Sequence, residues 1–263
     1  MAKQRPQAGR SRKPSAVKSA KQSPANRAFY LIAGLIAIAG IGGLTYASMH
    51  SGAQATASMV DTTLPPVKSE GYVMGSPNAP LEVIEFGDFE CPICGQFNTL
   101  TEPEIRSRLV TPGIIRYRYI DFPLDMHHNT WNASRAAACA DEQGKFWEMH
   151  DAIFQSQDRW DTEATSNPDK VFKTLAKQLG LNTDQFDNCV DSKKYQAKIQ
   201  AHLALAEARK LDGTPSFVIG DRQITKGLSY DEFKAMVDSA LARRRSDSAA
   251  TKPAPARGAA PTP

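Results

Sequence analysis

The stretch E-F-G-D-F-E-C-P-I-C, Glu85 to Cys94, decides how this chain is read. An apolar run with β character, Leu81 to Phe86, ends at Gly87, and two cysteines separated by two residues then open a helix. Pro92 suits a first helical position, where its missing N–H leaves no hydrogen bond unmade. That puts Cys91 at the N-cap and Cys94 three residues on, on the same helix face. A thiolate at Cys91 would face the unpaired N–H groups and the positive dipole end of the helix, which lowers its pKa. A pair with one activated sulfur is suited to thiol–disulfide exchange, with Cys91 as the exposed nucleophile and Cys94 as its shielded partner.

Other readings of C-x-x-C carry less. A zinc ribbon needs a second close pair, whereas Cys139 and Cys189 each stand alone. The strand–C-x-x-C–helix context also disfavours an inert structural disulfide. No metal and no cofactor is expected. The alternative outside redox chemistry is a metal-delivery module using Cys91, Cys94 and a histidine.

The segment Glu85 to Cys94 resembles the active-site segment of the DsbA-like thiol–disulfide oxidoreductases, a thioredoxin-fold family. D-F-P-L-D-M-H (Asp121 to His127), E-Q-G-K-F-W-E-M-H-D (Glu142 to Asp151) and G-T-P-S-F-V-I-G (Gly213 to Gly220) follow in the order of that family. The resemblance covers roughly Gly71 to Leu241. It implies an α/β, thioredoxin-like domain over 71–243 with an inserted helical subdomain at about 129–211. It also implies a protein thiol–disulfide oxidoreductase that introduces disulfides into unfolded exported proteins through Cys91-Pro92-Ile93-Cys94. A quinone-linked membrane partner would supply the oxidising equivalents. A reductase or isomerase of the same fold is the alternative.

Further roles rest on the same resemblance. Glu85 would be a partly buried acid that helps move protons for Cys94; a strand-end carboxylate with solvent access is the alternative. The Thr214–Pro215 bond would be cis and would bring Pro215 beside the cysteines. The backbone of Thr214 would then pair with an extended substrate segment, with Pro92 and Ile93 in the same contact surface. One departure matters: strong oxidants of the family carry His between the cysteines, and Ile93 offers no side-chain donor. A moderate oxidant is the expectation.

Export and an even cysteine count favour a structural disulfide between Cys139 and Cys189; two small buried apolar residues are the alternative. His127 and His128 read as polar loop residues near the groove, and Trp131, Trp147 and Trp160 as helix packing.

The net charge of +4 is unevenly spread. Residues 1–28 hold eight Lys or Arg and no acid, and Arg244, Arg245, Lys252 and Arg257 crowd the other end, while the body between is acidic. No nucleic-acid face follows from that distribution. Ala28 to Val60 carries no Asp, Glu, Lys or Arg. Its apolar heart, Phe29 to Ala47, would span about 28 Å as a helix, close to the hydrocarbon thickness. The chain therefore reads as a basic cytoplasmic segment 1–28, a transmembrane signal-anchor 29–48, a linker 49–70, the catalytic domain 71–243 outside the cytoplasm of a bacterial cell, and a disordered Ala/Pro-rich tail 244–263. A cleaved signal peptide releasing the domain to the periplasm is the rival, because Ala53-Gln54-Ala55 and Ala55-Thr56-Ala57 are small-x-small sites.

Within the domain, Leu81 to Phe86 and Ile114 to Ile120 read as parallel strands of one βαβ unit. The helix between them should break near Pro103, with Thr101 and Glu104 as a capping box. Asn129 to Leu211 reads as helical. Ser216 to Ile219 and Arg222 to Thr225 read as a hairpin about Gly220-Asp221. Ser229 to Arg243 reads as a closing amphipathic helix.

Overall fold

Along Leu81–Gly87 the side chains alternate between two covered faces, and this strand organises the domain. The computed structural model describes residues 57–59 and 71–250. The strands are β1 (Ser58–Met59), β2 (Tyr72–Met74), β3 (Leu81–Gly87), β4 (Ile115–Asp121), β5 (Ser216–Ile219) and β6 (Arg222–Thr225). They form one sheet in the order β1-β6-β5-β3-β4-β2, with β3 and β4 parallel and every other pair antiparallel.

Helices cover both faces. On one side lie α1 (Pro92–Leu100), α2 (Glu102–Ile105) with the π-helical turn Arg106–Val110, and the closing helix α9 (Tyr230–Ala250). Val83, Phe97, Ile105, Tyr117, Phe217 and Phe233 meet in that layer. Each such large side chain contributes about 2 kcal/mol by leaving water. On the other side Ile84, Phe86, Ile120 and Val218 pack on Ala206 of α8 (Gln196–Ala208). Between β4 and β5 the chain inserts α3 (Thr130–Asp141), α4 (Phe146–Phe154), α5 (Gln157–Trp160), α6 (Asp169–Gln178), α7 (Thr183–Asp191) and α8. The insertion has its own apolar core, which includes Met149, Trp160, Phe172 and Phe186 and takes in Phe89, Cys91 and Cys94. Within it the Trp160 indole N–H donates to the Ile153 carbonyl at 2.9 Å and its ring tilts against Phe172.

Several expectations need correction. The break at Pro103 occurs, but the Thr101 side chain makes no capping bond, because Thr101 has helical backbone angles and the chain turns through it. The capping box forms instead at α9, where Ser229 and Glu232 bond reciprocally. That helix continues past Arg243 to Ala250, so 244–250 is helix and not tail. Met59 and Ser58, expected in a linker, pair with Arg222 and Gln223 at the sheet edge. Strand β2 was not anticipated; its three residues are too few to show a period.

The basic segment 1–28, the anchor 29–48 with its apolar run Phe29 to Ala47, the cleavage sites before Ala57, most of the linker, and the tail from 251 lie outside the described residues. Among the described residues no helix is long and apolar enough to cross a membrane.

Candidate active site

The parallel register pairs Gly87 with Asp121 and sends β3 into the helix that carries the cysteines. Gly87 is required by close approach: a Cβ there would lie 2.5 Å from Cε2 of Tyr119. Two acids of the quoted stretch then fasten the turn. Asp88 accepts from the backbone N–H groups of Glu90 and Leu124, each at 2.8 Å, and contacts His127 Nδ1 at 2.7 Å. Glu90 accepts from the Asn129 N–H at 2.7 Å and from the backbone and hydroxyl of Thr162. Both carboxylates are buried, so each backbone donor they take up would otherwise be unsatisfied.

Cys91 is the N-cap residue of α1 and Pro92 its first helical residue. Both cysteines are free thiols here. Cys91 is 6% exposed and Cys94 fully buried. The Cys91 thiol is lowered from 9.0 to about 6, first by the hydrogen bond from Cys94, against the cost of burial, with help from the Thr214 contact and the backbone N–H groups of Cys94 and Ile93. Burial pushes the Cys94 thiol well above its ordinary value, and its bond to Cys91 pushes in the same direction. Both sulfurs are buried, so the exposed Cys91 expected from the sequence is corrected; the contact they share drives them apart in acidity, and the deeper burial of Cys94 adds to the difference.

Across the turn from the cysteines, the Thr214–Pro215 peptide bond is cis. The Cys91 Sγ lies 3.4 Å from the Thr214 carbonyl oxygen. Ile93 is 47% exposed and Leu100 67%. With Gln96, Phe97, Leu228 and Ser229 they line an open groove between α1 and the 227–229 loop.

Glu85 sits on the Val83 face of β3, beneath α1, and is 1% exposed. This closes the choice between a solvent-facing and a buried carboxyl in favour of burial. Its Oε2 accepts from the Tyr117 hydroxyl at 2.6 Å. Burial, followed by the charge of Glu102, raises the carboxyl to about 8. It therefore carries a proton at neutral pH.

The helical insertion reaches this site through Gln157. Its Nε2 donates to the carbonyls of Phe89 at 2.6 Å and Cys91 at 3.0 Å. A Cβ on Gly95 would come within 2.2 Å of the Gln157 Oε1, so any larger residue would have to displace this amide from its two carbonyl partners. Elsewhere in the insertion Cys139 of α3 and Cys189 of α7 form a disulfide. His127, read as a loop residue, is tied to Asp88, and that bond raises its pKa; the His128 backbone N–H donates to the Thr162 hydroxyl. Among the described residues no group of three or more His, Cys, Asp and Glu is placed to hold a metal ion.

The roles of Asp88, Glu90, Gln157 and Glu102 were not read from the sequence. Acids at Asp88 and Glu90 inside an otherwise apolar, aromatic stretch were the available signal for the first two. Gln157 lies too far along the chain from the cysteines for spacing to reveal it, and the helix break after Leu100 removes the regular spacing that would have placed Glu102.

A family model described as Thioredoxin matches residues 68–239. The Na(+)/H(+) antiporter NhaA 3 of Salinispora tropica is 32% identical over 192 residues, 73% of this chain; the chain spans 28% of that relative's length. Disulfide bond formation protein D of Bacillus subtilis is 27% identical over 64% of this chain and 76% of its own length. Among solved structures, oxidised BdbD from Bacillus subtilis superposes with a TM-score of 0.61 at 22% identity, over 72% of this chain and 98% of that one. That likeness concerns the fold.

Proposed function

The chain belongs to the thioredoxin family, and we propose that it is a DsbA-like thiol–disulfide oxidoreductase that introduces disulfides into unfolded exported proteins outside the cytoplasm. The observation that carries the reading is Cys91: a buried-side, acidified thiol at a helix N-terminus, 3.4 Å from the carbonyl before Pro215, with Cys94 fully buried behind it.

The proposed reaction begins with a disulfide between Cys91 and Cys94. A substrate thiolate attacks the Cys91 Sγ, the bond between the cysteines breaks, and its electron pair leaves on the Cys94 sulfur. Glu85 supplies the proton that Cys94 then holds. A second substrate thiolate attacks the substrate sulfur of the mixed disulfide and releases Cys91 as thiolate. The substrate leaves oxidised by two electrons, and the enzyme leaves reduced by two. The acidified Cys91 favours departure in this last step.

In this reading the backbone of Thr214 pairs with an extended substrate segment, and the exposed apolar rim of Pro92, Ile93 and Leu100 receives its side chains without sequence preference. Phe29 to Ala47 anchors the domain to the bacterial cell membrane with 1–28 in the cytoplasm, and a quinone-linked membrane protein reoxidises the pair. The test is to mix the oxidised domain with a reduced, unfolded protein and count substrate thiols. One disulfide formed per enzyme, lost in Cys91→Ser, supports the reading. No transfer from the intact domain overturns it.

A further inference from the structure

Tyr117 and Tyr119 stand two residues apart on β4, so their side chains share one face of the sheet. The parallel register sets Tyr117 beside Val83 and Tyr119 beside Glu85, which puts both phenols on the Glu85 face. Their hydroxyls differ in what they meet. The Tyr117 ring is fully buried and packs against the rings of Trp147 and Phe233, with centroids at 6.3 Å and 6.4 Å. Its hydroxyl lies 2.6 Å from Glu85 Oε2, and this is its one hydrogen bond among the described residues. The Tyr119 hydroxyl is buried as well and meets no hydrogen-bond partner among them.

Counting donors sets the direction of that bond. A neutral carboxyl has one O–H to give, and a phenol has one. If Glu85 gave its proton to Tyr117, the phenol O–H would be left buried without an acceptor, which buried hydroxyls avoid. We propose that Tyr117 is a positioning residue for the acid: its phenol donates to Oε2, which makes Oε2 the carbonyl oxygen and leaves the movable proton on Oε1. The inference rests on the reading of Glu85 as the acid that serves Cys94. In that step the Oε1–H bond breaks, the Cys94 sulfur takes the proton, and the carboxylate left behind keeps the Tyr117 donor. Reclosure of the disulfide takes the proton from Cys94 and returns it to Oε1. Tyr117 remains a donor throughout, because burial pushes its phenol well above the ordinary value. The other ionisable groups facing Glu85 are Cys91 and Cys94 of α1, Glu102 of α2, Arg106 of the π-helical turn and Tyr119 of β4. Arg106 is paired with Glu102 and with Asp151 of α4, and His150 of α4 packs on Tyr119. From β5 and α9 come the apolar Phe217 and Phe233.

Infrared spectra of the reduced full chain test this, because the C=O band of a protonated carboxyl moves to higher wavenumber when its oxygen loses a hydrogen bond. The band that Glu85→Gln removes belongs to Glu85, and it should fade with a midpoint of about 8 as pH rises. Tyr117→Phe should move the band to higher wavenumber and raise the midpoint by about one pH unit, since the carboxylate loses a donor. Tyr119→Phe, which removes a hydroxyl without a partner, should leave both in place. If Tyr117→Phe does not fold, 3-fluorotyrosine in place of every tyrosine makes the phenol a stronger donor and should move band and midpoint the other way. An unmoved band, or equal shifts in the two Phe variants, would overturn the inference. So would a midpoint that falls in Tyr117→Phe, because the phenol would then be accepting the carboxyl proton. The reading of Glu85 is tested separately, by the pH profile of exchange with glutathione disulfide. A profile unchanged in Glu85→Gln would sink that reading whatever the band does. A profile changed in Glu85→Gln, with a band unmoved in Tyr117→Phe, would strike the Tyr117 inference alone.

Discussion

The sulfur of Cys91 lies 3.4 Å from the carbonyl oxygen of Thr214, so this thiol and the backbone before Pro215 are in direct contact. A substrate strand lying along Thr214 would bring its own sulfur to Cys91 without any side-chain code. That relationship makes the acidity of Cys91 the quantity on which the redox behaviour depends.

Lowering the Cys91 thiol from 9.0 to about 6 stabilises the reduced form at pH 7. The gain is about 1.4 kcal/mol, which raises the reduction potential by about 30 mV. This supports a moderate oxidant. A depressed acid adds stability above its folded pKa, and the addition grows until the unfolded pKa is passed. The melting temperature of the reduced form should therefore rise relative to the oxidised form as pH goes from 6 toward 9. Calorimetry of both forms across that window checks it; a difference that is flat in pH would contradict it.

Glu85 has the opposite sign. Its carboxyl is raised from 4.5 to about 8, so the folded protein binds a proton that the unfolded chain has lost, and stability falls as pH rises through that window. Glu85→Gln should remove the loss and stabilise the oxidised domain by a few kcal/mol at pH 8, with little gain at pH 4.5. Denaturant midpoints at the two pH values test this.

Gln157 and Gly95 are predicted to be coupled. Gly95→Ala drives a Cβ into the Gln157 amide, which also holds the carbonyls of Phe89 and Cys91. The cost should be about 1–3 kcal/mol. Adding Gln157→Ala should recover part of it, giving a non-additive double-mutant cycle.

The disulfide between Cys139 and Cys189 closes a loop of sequence separation 50 within the helical insertion. Replacing both by Ser should destabilise the domain by about 2–4 kcal/mol. Because the bridge joins α3 to α7, away from α1, the rate of Cys91 alkylation should be unchanged.

The pairing of β3 with β4 and the β5–β6 hairpin were legible because alternating apolar residues and turn signals act locally. The start of α1 was legible for the same reason, since Pro92 and the cysteines sit together. What escaped depends on distance along the chain: Gln157 reaches back to Phe89, and Arg106 joins Glu102 to Asp151. Glu85 shows the limit well, because its place in β3 fixes its face but only α1, α2 and Tyr117 together decide its burial. The Thr101 cap failed for a different reason: the chain stays helical through that residue, so its hydroxyl has no free N–H to meet.

The central claim is that Cys91 carries the substrate and Cys94 resolves it, and trapping tests this most directly. Cys94→Ser removes the resolving thiol and should accumulate mixed disulfides with exported proteins through Cys91, visible as reducible adducts after acid quenching. Cys91→Ser should accumulate few or none, because the remaining sulfur is fully buried. Equal trapping by both variants, or trapping by Cys91→Ser alone, would contradict the account.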